Sequence, residues 1–443
     1  MHAMLAAVAV SFVLQRLELN LIVNYDAQRI DGTALMTVKN ASAAPADAVP
    51  LLLGRLMRFK ELKQEVVTFD DDDTRQFAFA SLPLPKPLAP GESTTITVPY
   101  GGHIVGYTET GMLYVKDHVS EDFTVIRNDA YSFPTLGVPS LKAMRARPRG
   151  DFTFDLRVDV PSAQVVAAGG VLVDKQDHDG RSTYHFASEI PTPFLYITIA
   201  KYKVLEQNGV RIYYLPAEES GAAAVMQKTQ KSLALYESWL GPLPQRPHLT
   251  IQEIPDGYGE QGHPVGGITI DAYVFHEPDS LVTLYHEVGH LWNAPDADVA
   301  TPRLNEGLSM WFQDIVAEAV DEKPASWLAP RLLTKLAKAA ATDGRLARVP
   351  LRDYGRENMT DWSYSVGYFY FRALEKKIGR PALLAVLRDF YGDHRPKTLQ
   401  ELVTLLERKH PETRPINAAW IETTAWTAKV AQAANVEALL ASE

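Results

Sequence analysis

The stretch YHEVGHLWN, Tyr285 to Asn293, decides how the second half of this 443-residue chain is read. Residues four apart on a helix lie one turn up the same face, about 6 Å along the axis. His286 and His290 can therefore reach one metal ion. Glu287 projects beside that face, where a carboxylate can take a proton from a water and pass it to a leaving amine. The segment before it, Asp279-Ser280-Leu281-Val282, offers an N-cap followed by apolar residues. An H-E-x-x-H run arises by accident in roughly a few per cent of chains of this size, so alone it leaves open a hydrogen-bonded surface patch.

Leu304-Asn305-Glu306-Gly307 tips the balance. Glu306 stands sixteen positions after His290, at the opening of an apolar-patterned helix carrying Leu308, Met310, Trp311, Phe312 and Ile315. Two histidines and a carboxylate make a catalytic zinc set that leaves the fourth position for water, with one Zn(2+) expected per chain. A silent metal-binding protein is the rival of another class. Glu287 argues against it, because a structural zinc site takes a fourth protein ligand and needs no base.

Composition narrows the remaining choices. The chain holds 44 Lys and Arg against 54 Asp and Glu, a formal net charge of -10, so no basic face is expected for nucleic acid. It has no cysteine, which excludes disulfides, thiolate nucleophiles and Cys-type zinc sites. At 46% hydrophobic residues it can bury a large core in two or three domains. The apolar run Met4 to Leu14 has the length of a signal-peptide core, but no basic residue precedes it and no small-x-small cleavage site follows. It is too short to span a bilayer, and nothing else in the chain reads as a stable membrane span. An extracytoplasmic location is slightly favoured over a cytoplasmic one.

From Arg16 to about residue 202 the period is two: Leu17, Leu19, Leu21 and Val23 in one run, Phe152, Phe154, Leu156, Val158 and Val160 in another. Half-buried antiparallel strands follow, and with them an N-terminal all-β sandwich over 16–202, after a signal-like segment at 1–15. The DDDD run at 70–73 reads as a solvated loop without the spaced ligands of a calcium site. After Lys201 the character changes. Strands are expected at 210–215, 248–254 and around Gly267, and a long helix from Ala222 to Leu240 that stops at Gly241-Pro242. A glycine-rich loop spans Asp256 to Gly267, and helices dominate thereafter. The second domain, 203–443, is expected to be α+β and mostly helical.

H-E-x-x-H followed by N-E-G resembles the gluzincin zinc metallopeptidases of the aminopeptidase N type, and the likeness runs along nearly the whole chain. It implies a saddle-like β-domain, with FPTLGVPSLKA at 133–143 in place of the family's aromatic-Pro-Asp-Glu-Pro stretch, and a thermolysin-like catalytic domain acting on peptide substrates. It also implies His286, His290 and Glu306 as zinc ligands and Glu287 as general base. Tyr364-Ser365-Val366-Gly367 is similar to the family's Tyr-x-Lys-Gly, so Tyr364 is the implied donor to the oxyanion, a role a phenol fills without competing for the metal. The family's Gly-x-Met-Glu-Asn loop offers a glutamate to the substrate's α-amino group and its backbone to the peptide as an edge strand. The nearest counterpart here is Gly257-Tyr258-Gly259-Glu260-Gln261, with extra residues before the strand that follows. Glu260, Gly266 and Gly267 are thereby the implied substrate contacts.

The departures bear on which bond is cut. A displaced Glu260 would allow a zinc endopeptidase or a glycyl-aminopeptidase-like enzyme, to which HLWN is also similar. Glu306 follows His290 about three residues sooner than the family's usual, so 294–303 must take a tighter route. The chain stops about eighty residues after Tyr364, short of the family's large C-terminal helical domain, which implies a more open cleft. His263 and His276 lack ligand spacing and read as loop histidines.

Overall fold

A computed structural model describes residues 12–69, 72–104, 106, 115–140, 143–144, 150–243, 248–263, 265, 267–276, 281–293, 303–321, 327–395 and 397–441. It forms two compact units, one of Met1–Ala223 with Pro247–His276, the other of Ala224–Arg246 with Glu277–Glu443.

The first unit is built on β-strands. A seven-stranded sheet is centred on Phe12–Asn24, which pairs antiparallel with Arg29–Asn40. Leu17, Leu19, Leu21 and Val23 are all buried while Arg16, Asn20 and Asn24 are exposed, as the alternation requires. Four-stranded and three-stranded sheets supply Leu51, Leu53 and Ala78, and Val166 and Ile197, to the same core, which gives the expected sandwich. Three details depart from expectation. The strand begins at Phe12, so residues 12–14 of the apolar run belong to the sheet; residues 1–11 lie outside the described ones. Its other neighbour, Thr153–Pro161, runs parallel to it, since Arg16 to Ile22 register with Thr153 to Asp159 in the same direction. Within the DDDD run, Asp72 and Asp73 open the long strand Asp72–Leu88.

A five-stranded mixed sheet completes this unit, holding Lys203–Gln207, Val210–Tyr214, Leu249–Ile254, Gln261–His263 and Gly267–Asp271. The change of period near residue 203 is therefore not where packing divides the chain. Tyr213 and Ile254 from this sheet share a core with Phe123, Val125 and Ala167, and burying that surface keeps the sheet with the β-domain.

The second unit is helical, with helices Val282–Gly289, Leu304–Asp321, Leu328–Thr342, Ser363–Ile378, Arg380–Tyr391 and Leu399–Lys409 among its described elements. Apolar residues at helical spacing (Leu308, Phe312, Ile315 on one helix, Val366, Phe369, Ala373 on another) are buried. Two of these helices cross at a pair of glycines. A Cβ on Gly307 would lie 2.6 Å from Gly367 Cα and 2.8 Å from the Ser363 carbonyl oxygen, so only glycine lets the backbones meet there. Among the described residues no helix is long and apolar enough to cross a membrane.

Candidate active site

His286 lies in the last turn of the helix Val282–Gly289, and His290 caps it with helical dihedrals, so the two imidazoles share one face as their spacing dictates. The short helix is buried on nearly every side, including Tyr285, His286, Glu287 and Val288. Gly289 is required for that burial, since a Cβ there would come within 2.9 Å of the Tyr236 hydroxyl, which donates to the Tyr285 carbonyl at 2.8 Å. Trp292 stacks on the Tyr236 ring and donates to the Gly241 carbonyl at 2.7 Å, and Asn293 donates to Ser309 Oγ at 3.1 Å while accepting from the Tyr391 hydroxyl at 3.0 Å. LWN is thus the latch that fixes where the two histidines point. The Asp279-Ser280 cap falls outside the described residues.

Glu306 opens the helix Leu304–Asp321 and brings its carboxylate to both rings. Its Oε2 lies 3.3 Å from His286 Nε2 and 3.2 Å from His290 Nε2. One ligand atom from each of the three residues falls within 4.8 Å of the others, the group among the described residues that could hold a metal ion. The fit is close, because ligands about 2.0–2.1 Å from a tetrahedral ion stand about 3.3 Å apart. The outer nitrogens are held as well: His286 Nδ1 is 3.0 Å from Gln313 Oε1, and His290 Nδ1 is 3.3 Å from Ser309 Oγ. With Gln313 accepting, the His286 proton sits on Nδ1 and Nε2 keeps its lone pair for a metal.

Burial holds His286 below the ordinary histidine range, against the pull of Glu306, which favours the neutral ligand form. For Glu306 burial acts upward, but His290, His286 and Arg303 outweigh it and keep the carboxylate well below its usual range. Arg303 donates from Nη2 to Glu306 Oε1 at 2.7 Å and stands 3.4 Å from the Tyr364 hydroxyl. Tyr364 lies in the first turn of Ser363–Ile378 with its ring parallel to His286, centroids 6.3 Å apart. Burial, then the Glu306 charge, pushes its phenol above the ordinary range, so it stays a neutral donor. Glu287 is buried on the motif helix, 5% exposed. The structure therefore brings His286, His290, Glu306 and Tyr364 together, on elements joined by the Gly307–Gly367 crossing.

Ser309, Gln313, Asn293 and Arg303 were not legible as parts of this site. Ser309 and Gln313 do follow Glu306 at helical spacings of three and seven, and that signal could have found them.

No family model matches this sequence, and no curated protein matches it. Solved structures do. The crystal structure of the M1 zinc metallopeptidase from Deinococcus radiodurans superposes with a TM-score of 0.65 at 19% identity, covering 94% of this chain and 95% of that one. The fold is that of the M1 zinc metallopeptidases. A mutant of the Deinococcus radiodurans protein bound to a Tyr-Ser-Ala substrate gives a TM-score of 0.63 at 20% identity, over 93% of this chain and 94% of that one. A two-domain M1 zinc metallopeptidase mutant bound to L-tryptophan gives 0.63 at 21%, with the same coverage.

In this M1-type fold Glu260 belongs to the first unit. Its Oε1 accepts from the Asp271 backbone N–H at 3.3 Å, and burial, then the Asp271 charge, raises its carboxyl to about 7. The loop before it is pinned from two sides: Gly257 N–H donates to Asp271 Oδ2 at 2.9 Å, and the Tyr258 carbonyl accepts from Arg127 at 2.9 Å. Arg127 is itself 1% exposed and paired with buried Asp117 at 2.6 Å. Gly267 opens an inner strand of the sheet. It registers opposite His263, and its strand is flanked by Gln261–His263 on one side and Leu249–Ile254 on the other. The extra residues after Glu260 fold back as a short strand, so among the described residues the outermost strand of this sheet on that side is Gln261–His263 and not Gly267–Asp271. Gly266 lies outside the described residues. His263 is not a loop histidine either: it ends that strand, buried, with Nδ1 3.3 Å from Thr192 Oγ1. His276 ends a short helix with Nδ1 3.4 Å from Glu218.

Proposed function

We propose that this chain is a zinc-dependent metallopeptidase acting as an aminopeptidase. The observation that carries the reading is the convergence of His286 Nε2, His290 Nε2 and Glu306 Oε2 on one point, beside a buried Glu287 and a neutral Tyr364. When bound there, zinc would polarise the scissile carbonyl and lower the pKa of a water. Glu287 takes the proton of the attacking water and returns it to the leaving amine. Tyr364 donates a hydrogen bond to the carbonyl oxygen as negative charge develops on it, and its raised pKa keeps the proton available.

A peptide and free amino acids bound to mutants of the structurally similar M1 zinc metallopeptidases support a short peptide as substrate. Glu260 is the proposed anchor for the substrate's α-ammonium, and Gln261–His263 the strand that the peptide main chain would extend. A fluorogenic panel of free and N-acetylated aminoacyl amides, with and without chelator, tests this. Cleavage lost on chelation and on acetylation supports the aminopeptidase; cleavage that survives acetylation points to the endopeptidase alternative, and cleavage that survives chelation removes the zinc reading.

A further inference from the structure

Arg303 is the one cation in direct contact with the metal-ligand group among the described residues, and its place is unusual. It sits one turn before Glu306 with a left-handed backbone, φ 52°, which turns its side chain back over the start of the helix. Nη2 donates to Glu306 Oε1 at 2.7 Å, while the other carboxylate oxygen, Oε2, is the one 3.2–3.3 Å from the two imidazoles. The guanidinium carbon stands 5.8 Å from the centre of the Tyr364 ring, and Nη2 lies 3.4 Å from its hydroxyl. The side chain remains 47% exposed, while the Glu306 carboxylate that it grips is buried.

A carboxylate with both oxygens free can swing between one-oxygen and two-oxygen ligation. One whose second oxygen is gripped by a guanidinium cannot do so without breaking a charge-assisted bond. The same guanidinium packs against the phenol that flanks His286, so one side chain constrains two parts of the site. We propose that Arg303 is a positioning residue of this centre, which commits Glu306 to the metal through Oε2 alone and holds Tyr364 over His286. This rests on the zinc peptidase reading above.

The test compares the full chain with its Arg303→Met and Arg303→Lys variants. Zinc affinity is measured on the stripped proteins by competition with a chromophoric chelator, and kcat and KM on a free-amine aminoacyl amide. Loss of an outer partner of a metal ligand typically costs roughly 10- to 100-fold in affinity. Arg303→Met is expected to weaken zinc by that factor and to lower kcat further at saturating zinc with KM little changed, because the phenol is also released. Arg303→Lys is expected to restore part of the affinity, by keeping a charge near Oε1, but little of the kcat, because an ammonium does not stack on the ring as the planar guanidinium does. A merely structural residue would move thermal stability without this split. Unchanged zinc affinity and kcat in Arg303→Met overturns the positioning role and leaves the peptidase reading standing; a native chain that takes up no zinc overturns both.

Discussion

Replacing Gly307 by alanine tests whether the crossing of two glycines sets the geometry of the site. The new methyl would fall 2.6 Å from Gly367 Cα, 2.8 Å from the Ser363 carbonyl oxygen and 2.9 Å from the Gly367 carbonyl carbon. All three are backbone atoms, which no rotamer change can move. Carbon atoms in contact stand about 3.5–4.0 Å apart, so the helices must separate by about 1 Å. Alanine recovers about 1 kcal/mol of helix propensity, while overpacking of this kind costs about 1–3 kcal/mol, leaving a net loss of about 1 kcal/mol. Activity should suffer far more than stability. Glu306 precedes Gly307 directly and Tyr364 lies on the other helix, and a displacement of about 1 Å between groups acting on one substrate can cost about 100-fold in rate. The assay is turnover of a fluorogenic aminoacyl amide, with thermal unfolding of the same preparation. Gly367→Ala, whose methyl would meet Gly307 Cα at 2.9 Å and the Leu304 side chain at 3.3 Å, should act in the same direction and less. A Gly307→Ala protein with kcat within about threefold of the parent and an unshifted melting curve would refute the reasoning.

Other perturbations separate the remaining roles. Glu287→Gln should keep the metal, since no ligand is touched, yet lose at least about 100-fold in kcat; equal activity in the two forms removes Glu287 as the base. For Glu260, whose carboxyl titrates at about 7 through burial and Asp271, an α-ammonium is held only by the ionised form. KM for free-amine substrates should therefore fall as pH rises through about 7, until the substrate amine itself deprotonates near about 8, and the Glu260→Gln profile should be flat over that range. Arg127→Met strands buried Asp117 and frees the Tyr258 carbonyl; a cost of about 3–5 kcal/mol in urea unfolding is expected, and a cost under about 1 kcal/mol would show the pair to be incidental. Buried Glu253, raised to about 8 chiefly by burial, keeps its proton in the folded state after the unfolded chain has released it. Its contribution to stability is full below the ordinary carboxylate range and lost as pH rises through about 8, so Glu253→Gln should flatten the decline in melting temperature over that interval.

Features set by local period were legible, and features set by contact were not. The alternation of Leu17, Leu19, Leu21 and Val23 reports a strand because one face is buried, and the four-residue step from His286 to His290 reports a shared helix face; both hold in the structure. The same period could not say that Thr153–Pro161 would run parallel to the first strand, because side-chain alternation is identical in either direction. Nor could it show that the sheet beyond residue 203 shares a core with Phe123 and Val125, since that grouping depends on which faces meet. The site divides in the same way. His286, His290 and Glu306 announce themselves because only certain side chains bind metal, whereas Gly307 and Gly367, sixty positions apart, are two ordinary glycines until their helices touch. Arg303 is the hardest of all to read: it belongs to no period, precedes its helix in a left-handed turn, and has meaning only once Glu306 and Tyr364 lie within reach of one guanidinium. Identical reasoning explains Gly267. Residues inserted after a loop read as extra length, and only pairing with His263 turns that length into a strand that becomes the outermost of its sheet among the described residues, and with it moves the proposed peptide track to Gln261–His263.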